Sequence, residues 1–214
     1  MTPQLQAERA EALLQLPRIS DAERDEKLFL QQGLAIAEKL TASTISFVHF
    51  INEREQTIEL VSWSESTLNA YCEAAYTSHY PVSEAGIWVD ALHQRQPLII
   101  NDYATYPHKK GLPPGHAALI RMVVVPVFEQ QQVVMLLGLG NSPQPYTDED
   151  LLSAQLIANE LWNIACNRRR LQSLNETRDL LIRTQQMAHV GGWELEHSSG
   201  RLIWTDETYR IFEL

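Results

Sequence analysis

"LIRMVVVPVFEQQQVVMLLGL" runs from Leu119 to Leu139, and its reading decides the fold. Two apolar runs, Leu119–Phe128 and Gln132–Leu139, are joined by the short polar link EQQ, which predicts a hairpin. In the first run the odd positions are Leu119, Arg121, Val123, Val125 and Val127. The even ones are Ile120, Met122, Val124, Pro126 and Phe128. Both sets are apolar apart from Arg121, as expected for an inner strand covered on two sides. A guanidinium keeps its charge in such a place, so Arg121 needs an anion or water. Two partners are open: a carboxylate of the chain, with Asp102 or Asp90 first, or an anionic or carbonyl group of a small ligand.

Outward from this hairpin the period alternates between two and helical. "STISFVHFIN" (Ser43–Asn52) and "QTIELVSWS" (Gln56–Ser64) read as a second hairpin, and "PLIIND" as a further strand. A short helix is expected over about Pro3–Gln15, and a clearer one over Asp21–Leu40, capped by Ser20. Glu65–Tyr76 reads as a helix capped by Ser64, followed by an extended piece at His79–Val82. Ser83–Gln96 reads as a helix capped by Ser83 and stopped by Pro97. Asn101–His116 is a long loop rich in proline and glycine, of a length that is often functional. Five or six short strands in hairpins, with helices between and outside, predict an α+β fold: an antiparallel sheet between helical layers.

From Thr147 the helical period continues for about forty residues, a rod of roughly 60 Å. Thr147 caps it, and Asp148, Glu149 and Asp150 suit the positive end of its dipole. Ile157, Ile164 and Leu171 are seven apart, as are Leu174 and Leu181, which predicts a coiled-coil seam and a homodimer through residues 150–188. "GGWELEHSSGRLIWT" (Gly191–Thr205) then reads as a hairpin, and "DETYRIFEL" opens a helix. A lone hairpin with one turn of helix buries no core of its own, so this piece is expected to be the front end of another domain.

The 214 residues carry a formal net charge of −10, which argues against a nucleic-acid surface. Cys72 and Cys166 are far apart without a CxxC pair, so neither a disulfide scaffold nor a zinc site is expected, and a reducing cytoplasm fits. The N-terminus lacks a signal-peptide pattern, and no apolar run in this chain approaches the ~20 residues that cross a bilayer.

"ELVSWS", "YPVSEAGIWVDALHQRQPLIINDY", "GLPPGHAALIRMVVVPV" and "LLGLGNSPQPYTDEDL", spread over about Leu28–Ala165, resemble a GAF domain of the type found in bacterial sensor histidine kinases and diguanylate cyclases. "HVGGWELEHSSGRLIWTDETYRIF" resembles the opening of a PAS domain, and the helix between resembles a signalling helix. The resemblance implies an N-terminal arm at 1–20, a GAF domain at 21–166, a linker helix at 167–190 and a PAS fragment at 191–214. It also implies a module that senses and dimerises while an output domain elsewhere does the chemistry. Where some cyclic-nucleotide-binding GAF domains carry Asn-Lys…Phe…Asp-Glu, this chain has Asn141-Ser142, Tyr146 and Asp148-Glu149. The missing lysine lowers that reading. Bilin attachment is disfavoured too, because Cys72 lacks a following histidine.

The candidate ligand-binding residues are Trp63, Cys72, Trp88, Asn101, Asp102, Tyr103, His116 and Arg121. Trp63, Trp88 and Tyr103 either line a pocket or fill the core. Cys72 reads equally as a small buried hydrophobe, Asn101 and Asp102 as turn formers, and His116 as a loop residue bonding a carbonyl. His93 in "ALHQRQP" reads as a polar residue on a short helix, and "GLGN" is no phosphate loop. No catalytic constellation, metal ligand set or cofactor is expected. Three functions remain: a small-molecule sensor, a ligand-free dimerisation and relay scaffold with a filled core, and, more weakly, a GAF-fold enzyme.

Overall fold

The computed structural model describes residues 2–52, 57–70, 79–81, 87–107, 109 and 118–213. Thr2 opens α1 (Pro3–Ala22) by accepting a hydrogen bond from the Leu5 amide, with Pro3 at the first turn, where its missing N–H costs nothing. The helix runs through Pro17 and past Ser20, further than its sequence suggests. Pro17 removes one internal hydrogen bond, but Ala12 and Leu16 are buried in the core and Ile19 packs against it, so packing carries the helix on. The expected cap at Ser20 is therefore inside α1. The next helix, α2 (Glu26–Thr41), is capped instead by Asp25, whose side chain accepts from the Leu28 amide.

Six strands form one sheet: β1 (Ile45–Asn52), β2 (Thr57–Trp63), β3 (His79–Pro81), β4 (Leu98–Ile100), β5 (Met122–Glu129) and β6 (Gln132–Gly140). Their order is β3-β2-β1-β6-β5-β4, and every pairing is antiparallel. The α+β expectation, with a sheet of about six antiparallel strands, matches this. The β5–β6 hairpin turns on Gln130 and Gln131, both with positive φ, the geometry that follows the twist of two strands joined by a two-residue loop.

The expected strand start at Leu119 moves to Met122. Asn141, itself at φ 59, holds the approach: its Nδ2 donates to the Ala118 carbonyl and its Oδ1 accepts from the Ile120 amide. Those groups are thereby withdrawn from the ladder.

The sheet has two covered faces, as the doubly apolar β5 requires. Val48, Val123, Val125, Leu137 and Leu139 pack on Leu16, Phe29, Leu34, Ile157 and Leu161 of the helices. Ile58, Met122, Val124 and Leu136 face the other way, onto Ile87, Val89, Leu92 and Tyr103. Each fully buried Leu, Ile or Phe contributes about 1.5–3 kcal/mol.

The second cover is built from a 3₁₀ turn at Ile87–Val89 and α4 (Asp90–Gln94), whereas α3 (Glu65–Ala70) meets α2 and β1. The described part of the expected Ser83–Gln96 helix is a 3₁₀ turn followed by α4. It ends at Arg95, in the left-handed conformation with its amide turned back on Ala91 and Leu92, before Pro97 is reached. The Ser83 cap and the far end of the expected 65–76 helix lie outside the described residues.

The long helix, α5 (Asp148–Ala188), is present. Thr147 and Asp150 cap it reciprocally: the Thr147 amide and hydroxyl donate to the Asp150 carboxylate, and the Asp150 amide donates back. The chain divides into two compact units, 1–165 and 166–214. In the first, Ile157 is fully buried in the domain's own core, so it is not free for the coiled-coil seam its spacing suggested. In the second, Leu171, Leu174 and Leu181 are exposed. The second unit also holds the expected hairpin, β7 (Trp193–Glu196) and β8 (Arg201–Trp204), with Trp193 opposite Trp204, and α6 (Asp206–Ile211). Among the described residues, no helix is long and apolar enough to cross a membrane.

Candidate functional site

Strand β1 carries the site. Its pleat sends Val48 and Phe50 to the helices and Phe47 and Ile51 to the opposite face. His49 falls on that second face, where its ring stacks on Trp88 with centroids 4.2 Å apart and planes at 17°. Phe47 closes the group, 4.8 Å from His49 and 5.8 Å from Trp88. Trp88 sits in the 3₁₀ turn, whose flanking Ile87 and Val89 are buried anchors. Trp63 lies directly opposite Phe47 in the β1–β2 register, on the same face. Gly138 of β6 makes room: a Cβ there would overlap the Phe47 ring. Phe47, Trp63 and Trp88 are each only partly buried.

Burial pushes the His49 imidazole down to about 3, because an imidazolium there would lose its hydration. His49 is therefore neutral at physiological pH: a flat ring with one donor and one acceptor nitrogen. Three aromatic side chains and a neutral imidazole suit the stacking of a planar group.

The other candidates are distributed around this face. Tyr103 is buried beneath it, and burial raises its phenol above the ordinary value. Asn101 instead ties β4 to the approach of α5: its Nδ2 donates to the Tyr146 carbonyl at 2.9 Å and its Oδ1 accepts from the Tyr146 amide at 2.6 Å. Asp102 is exposed and accepts from the Ala104 and Thr105 amides, forming the turn its residue type suggests. The Thr105 hydroxyl, then those amides and Lys109, hold its carboxyl below the ordinary value. Cys72 and His116 lie outside the described residues.

Arg121 is on the opposite side of the sheet from the aromatic group. Its Nη1 donates to the Ser142 carbonyl at 3.0 Å, near Tyr146, a member of the helix-side core. Burial pushes the Tyr146 phenol up to about 12, and its hydroxyl is paired with Ser43. The two expected carboxylates are engaged elsewhere: Asp90 accepts from the Tyr106 hydroxyl, and Asp102 caps its own turn. Among the described residues the partner of Arg121 is a backbone carbonyl, and its buried Nε has none. Strand parity alone could not reveal this, because it does not say which face meets which layer.

Phe47 and His49 were missed in the sequence. The available signal was the alternation in "STISFVHFIN", which puts a single histidine between Phe47 and Ile51 on one face. Among the described residues, no three His, Cys, Asp or Glu side chains gather as a metal site.

The family model described as "GAF domain" matches residues 23–164, and the chain belongs to the GAF domain family. It is 33% identical over 161 residues to the methyl sulfide methyltransferase-associated sensor of Methanosarcina acetivorans, covering 75% of this chain but 16% of that protein. The chain thus spans a small part of that relative's length. Among solved structures, the GAF domain of an Acinetobacter phosphoenolpyruvate-protein phosphotransferase superposes with a TM-score of 0.62 at 13% identity, covering 79% of this chain and 97% of that one. The free methionine-R-sulfoxide reductase of Neisseria meningitidis superposes with a TM-score of 0.60 at 14% identity, covering 80% and 95%. At those identities the likeness is one of fold.

Proposed function

We propose that this chain is the sensory module of a signal-transduction protein, and that its ligand is a small molecule held against Phe47, His49, Trp63 and Trp88. One observation carries the reading: Phe47 and Trp88 packed on a neutral buried imidazole, with Trp63 opposite Phe47, keep partial exposure on the sheet face away from α1, α2 and α5. Cores fill such faces, whereas binding sites leave aromatic walls with a few polar groups. The related Methanosarcina protein is named as a sensor, which supports the same class.

In this reading Leu171, Leu174 and Leu181 form a parallel homodimer seam that starts beyond Ile157, and the signal passes along α5. The hairpin at Trp193–Trp204 supports reading residues 191–214 as the opening of a PAS domain, ahead of an output domain of the histidine kinase or diguanylate cyclase type. The module works in the cytoplasm and is not itself an enzyme.

The ligand-free scaffold is the second reading, favoured by the close His49–Trp88 stack, which already fills part of the face. Native mass spectrometry of freshly purified protein separates the two. Sensing predicts a co-purifying small molecule that is lost in Gly138→Leu, where the new side chain displaces Phe47. A bare wild-type mass, with no binder in a metabolite extract, supports the scaffold. Sedimentation of Leu171→Asp/Leu174→Asp against wild type tests the seam; two monomers at micromolar concentration refute it.

A further inference from the structure

Glu38 is a buried carboxylate on the helix side of the sheet, and it is surrounded by hydroxyls. Its Oε1 accepts from Ser46 Oγ at 2.7 Å and from Ser64 Oγ at 2.5 Å, and its Oε2 accepts from Ser66 Oγ at 2.7 Å. With its proton given to Glu38, Ser64 Oγ accepts from the Thr67 amide at 3.2 Å and from the Thr67 hydroxyl at 2.7 Å. Thr67 Oγ1 in turn accepts from the Ser46 amide at 2.9 Å. One carboxylate oxygen of α2 therefore grips two strands, at Ser46 of β1 and at Ser64 just past β2.

These two serines are the chain neighbours of Phe47 and Trp63. Successive side chains of a strand point to opposite faces, so a grip on Ser46 from the helix side aims Phe47 at the aromatic side. Phe47 and Trp63 are directly opposed across the β1–β2 ladder, and the register shifts one residue further on, between Val48 and His49. A bulge loosens a ladder and re-aims the side chains beside it, so the ladder alone fixes the pair weakly. Buried carboxylates are costly relative to apolar side chains of the same size, and specifying one geometry is a use that offsets the cost.

We infer that Glu38 is a positioning residue: from the helix layer, through Ser46 and Ser64, it sets the geometry of the Phe47–Trp63 pair on the opposite face of the sheet. The role of that pair as a ligand wall rests on the proposed function. The positioning itself does not, so it is tested without ligand.

The experiment is fluorine NMR of the 214-residue protein labelled with 5-fluorotryptophan, with the Trp63 line assigned from Trp63→Phe. Glu38→Ala is expected to shift or split the Trp63 line while the Trp204 line stays in place. Glu38→Gln is expected to restore it, because an amide oxygen accepts from Ser46 and Ser64 while the amide nitrogen donates to Ser66. Leu16→Ala lowers the melting temperature through the same helix layer and should leave the Trp63 line unmoved.

A folded Glu38→Ala protein whose Trp63 line coincides with wild type overturns the inference, whatever its melting temperature. If Glu38→Ala does not fold, Ser64→Ala decides: a displaced Trp63 line supports the inference, and an unmoved one overturns it. Every sample is first unfolded, dialysed and refolded to remove any co-purifying molecule, so failure here leaves the ligand reading to its own test by mass spectrometry.

Discussion

Acid should weaken this domain through His49. The imidazole stacks on Trp88 inside the sheet's second face, and burial holds it at about 3 against an ordinary value of 6.5. Once unfolded, the same side chain regains its ordinary value, so between those two pH values the unfolded state binds the proton and the folded state does not. The folded state is therefore not penalised above the unfolded value, and it loses ground as pH falls towards the folded one. At pH 5 an unfolded imidazole is about thirty-fold more protonated than neutral, while the folded one is almost wholly neutral. The difference is about 2 kcal/mol of stability lost relative to pH 7.5, growing to about 3 kcal/mol at pH 4.

Carboxylates titrate over part of the same range, so the assay compares wild type with His49→Phe, which keeps a flat ring and cannot be protonated. Urea unfolding of both at pH 7.5 and pH 5 should give a wild-type loss that exceeds the variant's by about 2 kcal/mol. The variant's absolute stability does not enter the comparison. Equal losses in the two proteins would refute the claim that a neutral buried imidazole lies at the centre of the site.

Gly138→Ala places a Cβ in the Phe47 ring and should cost about 1–3 kcal/mol in urea unfolding while altering Trp88 fluorescence; an unchanged midpoint and spectrum would contradict the packing. Arg9 is buried on α1 and ties it to α5, with Nε on Ser153 Oγ at 2.9 Å and Nη2 on the Glu149 carboxylate at 2.9 Å and on the Glu149 carbonyl. Arg9→Met should cost about 1.5–3 kcal/mol, less than the ~3–5 kcal/mol of a fully buried pair because Glu149 reaches water. Amide exchange should speed up in α1 more than in β5 and β6. Arg121→Met should cost about 1.5–3 kcal/mol through the lost bond to Ser142 and leave the aromatic face's binding unchanged; lost ligand binding with intact stability would return Arg121 to the site.

Much of the fold was legible because its signals are local. Val123, Val125 and Val127 alternating with Met122 and Val124 announced a strand covered on both sides, and both covers exist. Thr147 followed by acidic residues marked the start of α5. Boundaries were lost where tertiary contacts override local preference: Pro17 is carried inside α1 by Leu16, and Leu119–Arg121 are taken from the ladder by Asn141. The seven-residue spacing at Ile157 misled because one helical stripe serves the domain core before any partner.

The candidate site was only half legible. Trp63, Trp88 and Tyr103 lie on or beneath the aromatic face. Arg121, which drew the ligand hypothesis, lies behind it, because parity within one strand cannot tell a helix-covered face from a pocket. Glu38 was invisible, because nothing in its sequence context brings Ser46, Ser64 and Ser66 around it; that requires the crossing of α2 over β1 and the β2–α3 junction.

The most direct test of the central claim is a crystal structure of the 214-residue protein purified without denaturation or extraction. Electron density is expected for a bound small molecule in contact with Trp63 and Trp88, with Arg121 still donating to the Ser142 carbonyl on the far side of the sheet. A face packed shut by the chain's own side chains, with Phe47, Trp63 and Trp88 all fully buried, would contradict it and leave the scaffold.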